Sequence, residues 1–70
     1  MYRYFFQDGK DKLAAADWAE TDREFISRLE GACEQFSRCL AIEPDHAEAL
    51  YHRGRSRLGL ADFLGVPGGE

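Results

Sequence analysis

A chain of 70 residues forms one small domain at most, and by itself it buries only a modest fraction of its surface. Its formal net charge of -4 argues against a general nucleic-acid binder, because phosphate binding needs an excess of Lys and Arg on one face. The apolar fraction of 44% and the charged fraction of 31% are ordinary for a globular helical protein and exclude a disordered or a membrane-spanning class.

The amino end and the cysteines bear on the cellular compartment. No stretch approaches the roughly 18 apolar residues of a spanning helix, and residues 1–8 turn polar too soon for a signal peptide. Cys33 and Cys39 lie about 240° apart around a common helix axis, so they cannot bridge each other. These features predict a cytoplasmic protein without a disulfide framework.

The sequence contains an internal repeat with an offset of 45 residues, which aligns Phe5–Gly9 with Leu50–Gly54. The same offset pairs further residues of like character: Leu13 with Leu58, Ala16 with Ala61, Asp17 with Asp62 and Trp18 with Phe63. The Gly of each copy falls inside a predicted helix, where a missing Cβ lets a neighbouring helix approach. The repeat therefore predicts two equivalent packing sites.

The first predicted helix ends near Ala15 and the second begins near Trp18. Asp17 is placed to cap the second helix, because its carboxylate can accept from the free amide hydrogens of the first turn. Glu20 follows at the spacing of a capping box.

The second predicted helix runs from Trp18 to Ile42. Apolar residues recur there at steps of three and four, which is typical of an amphipathic helix: Phe25, Ile26, Leu29, Ala32, Cys33, Phe36, Cys39, Leu40 and Ile42. Gly31 costs about 1 kcal/mol relative to Ala inside a helix, so a break there is the alternative. Pro44 ends the helix, because the residue before a proline avoids the α region.

A third predicted helix runs from about His46 to Leu60, with Asp45 and Glu48 repeating the capping spacing at its start. Residues 65–70 are too rich in Gly and Pro to continue a helix. We therefore expect a single domain over residues 1–64 with a flexible tail over residues 65–70. The predicted fold is all-α, an antiparallel helical hairpin followed by a third helix.

This pattern resembles the tetratricopeptide repeat, a two-helix unit with Gly in its first helix and small and aromatic residues in its second. The residues at the family's Ala, Phe, Ala and Pro spacing are Ala32, Phe36, Cys39 and Pro44, with Cys39 in place of a small Ala. The run from Glu43 to Gly54 is similar to the family's junction between repeats. The resemblance covers nearly the whole chain and implies one and a half repeats.

The repeat length departs from that family. The offset of 45 residues exceeds the family's period of about 34 by about eleven residues, which lie between Glu20 and Glu30. Eleven residues are close to three helical turns, so they can lengthen the second helix and return its apolar face to nearly the same direction. A separate short helix that breaks at Gly31 is the alternative.

The resemblance implies a concave groove lined by the first helix of each repeat. The predicted partner-binding residues are Phe6, Lys10, Tyr51, His52, Arg55 and Phe63. An aromatic ring and a cation in each copy can hold an extended or helical segment. The alternative is that the rings are core packing and that the cations, including Arg53 and Arg57 one turn apart, form a solvated face.

Neither catalysis nor metal binding is predicted. The chain has no Ser, His and Asp arrangement and no phosphate-cradling Gly-rich loop between a strand and a helix. Its thiols and imidazoles are spaced by six or seven residues, whereas zinc ligand pairs lie two to four apart: Cys33, Cys39, His46 and His52. We expect no enzyme activity, no metal site and no cofactor.

An incomplete repeat predicts an interface. About three repeats are normally needed for independent stability, and here the third helix lacks the helix that would cover it. An exposed apolar patch of that kind marks a docking surface. We expect a small adaptor, assembly factor or accessory subunit that binds another protein through its groove and its uncovered third helix. The alternative is a structural homodimer, and no nucleic acid or membrane insertion is expected.

Overall fold

The computed structural model describes residues 1–64, with the side chains of residues 1–63. It contains three α-helices in that range: α1 (Tyr2–Ala16), α2 (Asp22–Ile42) and α3 (Ala47–Leu64). The predicted all-α class is confirmed, with a helical hairpin of α1 and α2 followed by α3. The tail predicted over residues 65–70 lies outside the described residues. Within residues 1–64, no helix is both long and apolar enough to cross a membrane.

Helix α2 begins later than predicted, at Asp22 instead of Trp18. Its cap is Thr21, whose Oγ1 accepts a hydrogen bond from the Glu24 backbone N–H at 3.1 Å. The Glu24 carboxylate in turn accepts from the backbone N–H of Glu20 at 3.5 Å. The predicted cap at Asp17 is wrong, because that residue keeps right-handed helical geometry and ends α1.

The middle helix is continuous through Gly31 and is 21 residues long, which is one of the two alternatives that the sequence leaves open. A Cβ placed on Gly31 would lie 3.0 Å from Cδ of Lys12, so the glycine lies where the Lys12 side chain crosses α2. The alternative of two shorter helices is not what the structure has. Packing against α1 offsets the low helix propensity of the glycine.

Helix α3 differs from the prediction at both ends. The predicted Asp45 cap is wrong: Nδ1 of His46 accepts a hydrogen bond from the Ala49 backbone N–H at 3.1 Å. The helix continues past Leu60 to Leu64. Its last turns are held by aromatic packing, because the Phe63 ring lies 5.4 Å from the Phe25 ring of α2.

The core is centred on Phe36 of α2, whose side chain is completely buried. The other buried residues of this cluster come from α2 and α3: Ala32, Cys39, Leu40 and Ala49. Partly buried residues of α1 pack against the cluster: Tyr2, Phe5, Phe6 and Leu13. A Cβ placed on Gly9 would lie 2.7 Å from the Phe36 ring. Gly9 therefore provides the close approach of α1 and α2 that the repeat predicts, whereas its counterpart Gly54 faces open space within the described residues.

A polar contact also joins α1 to α2. Asp8 accepts hydrogen bonds from Lys12 Nζ at 2.5 Å and from Nε2 of the buried Gln35 at 2.7 Å. The Lys12 bond and then the Gln35 bond lower the pKa of the Asp8 carboxyl, because both favour its charged form. The amide nitrogen of the buried Gln35 thereby has a hydrogen-bond partner at the helix interface, and α2 contributes no charge to this contact.

The two equivalent glycines predict opposite effects of substitution. Gly9→Ala is expected to lower the free energy of unfolding, since overpacking against a fixed ring costs about 1–3 kcal/mol and exceeds the gain in helix propensity. Gly54→Ala is expected to raise it by about 0.5–1 kcal/mol, because the new methyl group meets nothing. Urea unfolding of both variants checks the pair, and equal effects would contradict the assigned packing.

The Asp8 contact predicts a pH-dependent contribution to stability. Because the folded-state pKa is lowered, this contribution is present above the ordinary value of 3.8 and disappears as the pH falls through the folded-state pKa. Asp8→Asn is therefore expected to lower the melting temperature at pH 6 and to approach the wild type near pH 2. Asp11→Asn is the control, because the hydrogen bond that Asp11 accepts within the described residues comes from Gln7 of its own helix. A difference that persisted unchanged to pH 2 would argue against the linkage.

Candidate partner-binding surface

Helices α1 and α3 form an open groove of about 310 Å³ on one side of the molecule. Its lining residues are Lys10, Leu13, Ala14, Asp17, His52 and Arg55. Three of the predicted binding residues, Lys10, His52 and Arg55, thus meet in one cavity. The 45-residue offset places Lys10 and Arg55 at equivalent positions of α1 and α3, the two helices that border the groove.

Phe6 is not among the lining residues of this groove, but its ring lies against two of them, Lys10 and His52. Its ring centroid lies 4.5 Å from that of His46 and 6.1 Å from that of Phe36, so much of the ring serves packing. The ammonium of Lys10 lies 4.9 Å from the ring centroid, a distance at which the π face attracts a cation. The Phe6 ring therefore holds Lys10 at the groove.

His52 connects the groove to the core. Its imidazole stacks on Phe36 at 5.6 Å with an interplanar angle of 21°, and it lies 6.0 Å from Phe6. Its Nδ1 atom is buried and has no hydrogen-bond partner among the described residues. The ring contributes mainly as a flat apolar surface, and it fixes the side of α3 that faces α1.

The other two predicted binding residues lie apart from the groove. Tyr51 is 63% exposed and lines an adjacent open cavity of about 450 Å³ on the outer side of α3. Phe63 packs against Phe25, near the opposite end of α3 from His46. The six predicted residues therefore do not form one site, although Arg55 lines both the groove and the outer cavity.

The arginines of α3 also separate into two groups. Arg55 borders the groove, whereas Arg53 donates to the Ser37 hydroxyl of α2 at 3.5 Å. Arg57 lies close enough to Cys33 to oppose the rise of its pKa. Arg55 therefore lies on one flank of α3 and Arg53 and Arg57 lie on the other, because residues two apart in a helix point to opposite sides.

The charge of the groove is positive. Among residues 1–63, the ion pairs are Lys12 with Asp8, Arg28 with Glu24, and Arg38 with Glu34. Within that part of the chain, Lys10 and Arg55 are in no ion pair, although Asp17 lines the same groove. Both cations therefore remain available to an acidic ligand.

The thiols differ from reactive cysteines. Burial raises the pKa of Cys33, with the nearby Arg57 and then the Ser56 hydroxyl acting in the opposite direction. Burial also raises the pKa of the fully enclosed Cys39. A raised pKa keeps a thiol protonated at neutral pH, and the protonated form is neither a strong nucleophile nor a metal ligand. Within the described residues, no group of three or more His, Cys, Asp or Glu side chains could hold a metal ion.

Sequence reasoning missed a third cavity, of about 270 Å³, at the place where all three helices meet. Leu13, Leu29 and Leu58 line it, with Asp17, Asp62 and Arg55 among its polar groups. The repeat carried a signal for it, because Asp17 with Asp62 and Leu13 with Leu58 are pairs at the same offset. The sequence did not indicate that α3 would extend far enough to close this end.

Comparison of the chain with known proteins found no matching family model, no matching curated protein and no matching solved structure.

The environment of His52 predicts two different outcomes of substitution. His52→Phe is expected to be neutral or stabilising, because it keeps the ring stack and removes a buried polar atom without a partner, whose burial costs about 1–3 kcal/mol. His52→Ala is expected to be destabilising by about 1–2 kcal/mol, less than for a fully buried aromatic. Thermal unfolding of both variants checks this, and a clear loss of stability in His52→Phe would contradict a packing role.

Proposed function

We propose that the chain is a non-catalytic protein-interaction module of tetratricopeptide-like type, acting as a small adaptor, assembly factor or accessory subunit. The observation that carries the proposal is the groove between α1 and α3, with Lys10 and Arg55 on equivalent positions of its two walls. Two cations at the edges of an apolar trough suit an extended or helical segment that carries carboxylates.

Packing of the walls supports this role. Lys10 is held over the Phe6 ring, and His52 is stacked on Phe36, so each wall has one lining side chain that is packed before a ligand binds. A preformed site loses less conformational entropy on binding than a flexible one. The groove is also continuous with the outer side of α3 through Arg55, so one partner can contact both surfaces.

The shape of the chain supports binding to a larger protein. Four large apolar side chains of α3 are exposed to solvent, and the first three of them line one cavity: Leu50, Tyr51, Leu58 and Phe63. Neighbouring apolar groups of this size on a small domain are typical of an interface. A domain with so little core also gains proportionally more stability from a partner than a large domain does.

A charge-reversal experiment tests the groove. The tagged full chain is expected to retain a protein from an extract of its source organism, and Lys10→Glu with Arg55→Glu is expected to reduce that retention at least about tenfold, as for the loss of two charged contacts. Quantitative mass spectrometry of the co-purified proteins measures the ratio.

The matched control is Arg3→Glu with Arg23→Glu, which makes the same change in net charge at two exposed positions away from the groove. Circular dichroism verifies that both double variants are folded. The proposal is rejected when no protein is retained by the wild type, or when the groove variant and the control variant retain it equally.

A further inference from the structure

The outer face of α3 is an apolar stripe with a glycine at its centre. Leu50, Gly54 and Leu58 follow one another at intervals of four residues and therefore share one side of the helix. Both leucines are about half exposed, at 46% and 55%. A Cβ built on Gly54 would meet nothing within 4 Å among the described residues.

The same stripe on α1 is covered. The repeat offset makes Phe5, Gly9 and Leu13 the counterparts of that α3 stripe. There α2 lies on the glycine, with the Phe36 ring 2.7 Å from the position that a Gly9 Cβ would take. The α1–α2 contact therefore serves as an internal template for what fits the α3 stripe: a helix that presents an aromatic side chain to the glycine.

The polar residues that flank the glycine stripe carry different charges on α1 and on α3. On α1 the edge consists of Asp8 and Lys12, and Asp8 accepts from Gln35 of α2. The offset places Arg53 and Arg57 at these two positions of α3. Arg53 donates to the Ser37 hydroxyl of α2, but neither arginine is in an ion pair among residues 1–63. A covering helix that carried a carboxylate where α2 carries the Gln35 amide would therefore meet two cations one turn apart.

We propose that the Leu50–Gly54–Leu58 face of α3 binds an acidic amphipathic helix of a partner protein, with an aromatic side chain on Gly54 and a carboxylate between Arg53 and Arg57. This inference rests on the proposed interaction function and specifies the partner's chemistry. A second copy of the chain fits less well. Two α3 helices crossing at Gly54 would bring their arginines together, and like charges at that distance repel.

A peptide made from the chain's own α2 is the probe. It spans residues 21–43, with Cys33→Ala and Cys39→Ala to prevent oxidation and Gln35→Glu to supply the carboxylate. Fluorescence anisotropy of the labelled peptide measures its affinity for the full chain. The matched peptides carry Gln35→Lys, or Phe36→Ala in addition to Gln35→Glu.

Three results are expected. The Gln35→Glu peptide binds, and both matched peptides bind at least about tenfold more weakly, as for the loss of an anchor residue. Gly54→Ala in the full chain weakens binding of the first peptide by a similar factor although it makes the free chain more stable. Arg53→Glu with Arg57→Glu reverses the preference, so that the Gln35→Lys peptide becomes the tighter ligand.

The Gly54→Ala chain also distinguishes a peptide that binds the α3 face from one that replaces the chain's own α2. A peptide that displaced the chain's own α2 from α1 would bind at Gly9, which that substitution leaves unchanged. Equal binding to the wild type and to Gly54→Ala would therefore overturn the proposal, as would an absence of binding by the Gln35→Glu peptide. A wild-type dimer in sedimentation experiments that Gly54→Ala dissociates would overturn it in favour of a second copy.

The two proposals fail in different experiments. If co-purification depends on Lys10 and Arg55 but the Gln35→Glu peptide does not bind, only the α3 inference is rejected. If the peptide binds in a way that depends on Gly54 but no co-purified protein depends on Lys10 and Arg55, the groove is rejected and the α3 face is left as the binding site.

Discussion

The contact between the Phe36 ring and Gly9 is the constraint on which the rest of the structure depends. The ring lies in the space that a Cβ on Gly9 would take, so the missing side chain lets α1 and α2 approach closely. Its other side stacks on His52 of α3, and Phe6 lies against it as well. A single buried aromatic side chain thus sets the relative positions of all three helices. His52 in the wall of the groove stacks directly on this ring, and Phe6, which holds Lys10, lies 6.1 Å from it between ring centroids.

The sequence predicted the long elements well and their ends poorly. The steps of three and four in α2 indicate a helix regardless of what surrounds it, but they leave open whether the helix breaks at Gly31, and the structure shows that it does not. The start of α2 could not be chosen from spacing, because Asp17 with Glu20 and Thr21 with Glu24 fit the same capping pattern. The choice depends on how far α1 extends, and packing of Ala16 in the core determines that.

The candidate site shows a similar division. The offset correctly indicated that Lys10 and Arg55 are equivalent, and the structure brings them to one groove. It did not indicate that Tyr51 would lie on the outer side of α3, or that Phe63 would pack on Phe25. Those outcomes depend on the rotation of α3 about its axis. Contacts of Ala49, His52 and Ser56 with α2 and α1 set that rotation, and a repeat pattern alone does not contain it.

The bare stripe on α3 also bears on how long the chain persists in a cell. A ligand that binds only the folded chain adds about 2.7 kcal/mol of stability at a concentration of 100 times its dissociation constant. For a domain whose core supplies only a few kcal/mol, that addition changes the unfolded population about a hundredfold. Proteases act on the unfolded population, so the lifetime of the chain would follow the supply of whatever covers Gly54. Under the proposed binding of a partner to this face, chain made in excess of that partner is the fraction that would be removed first.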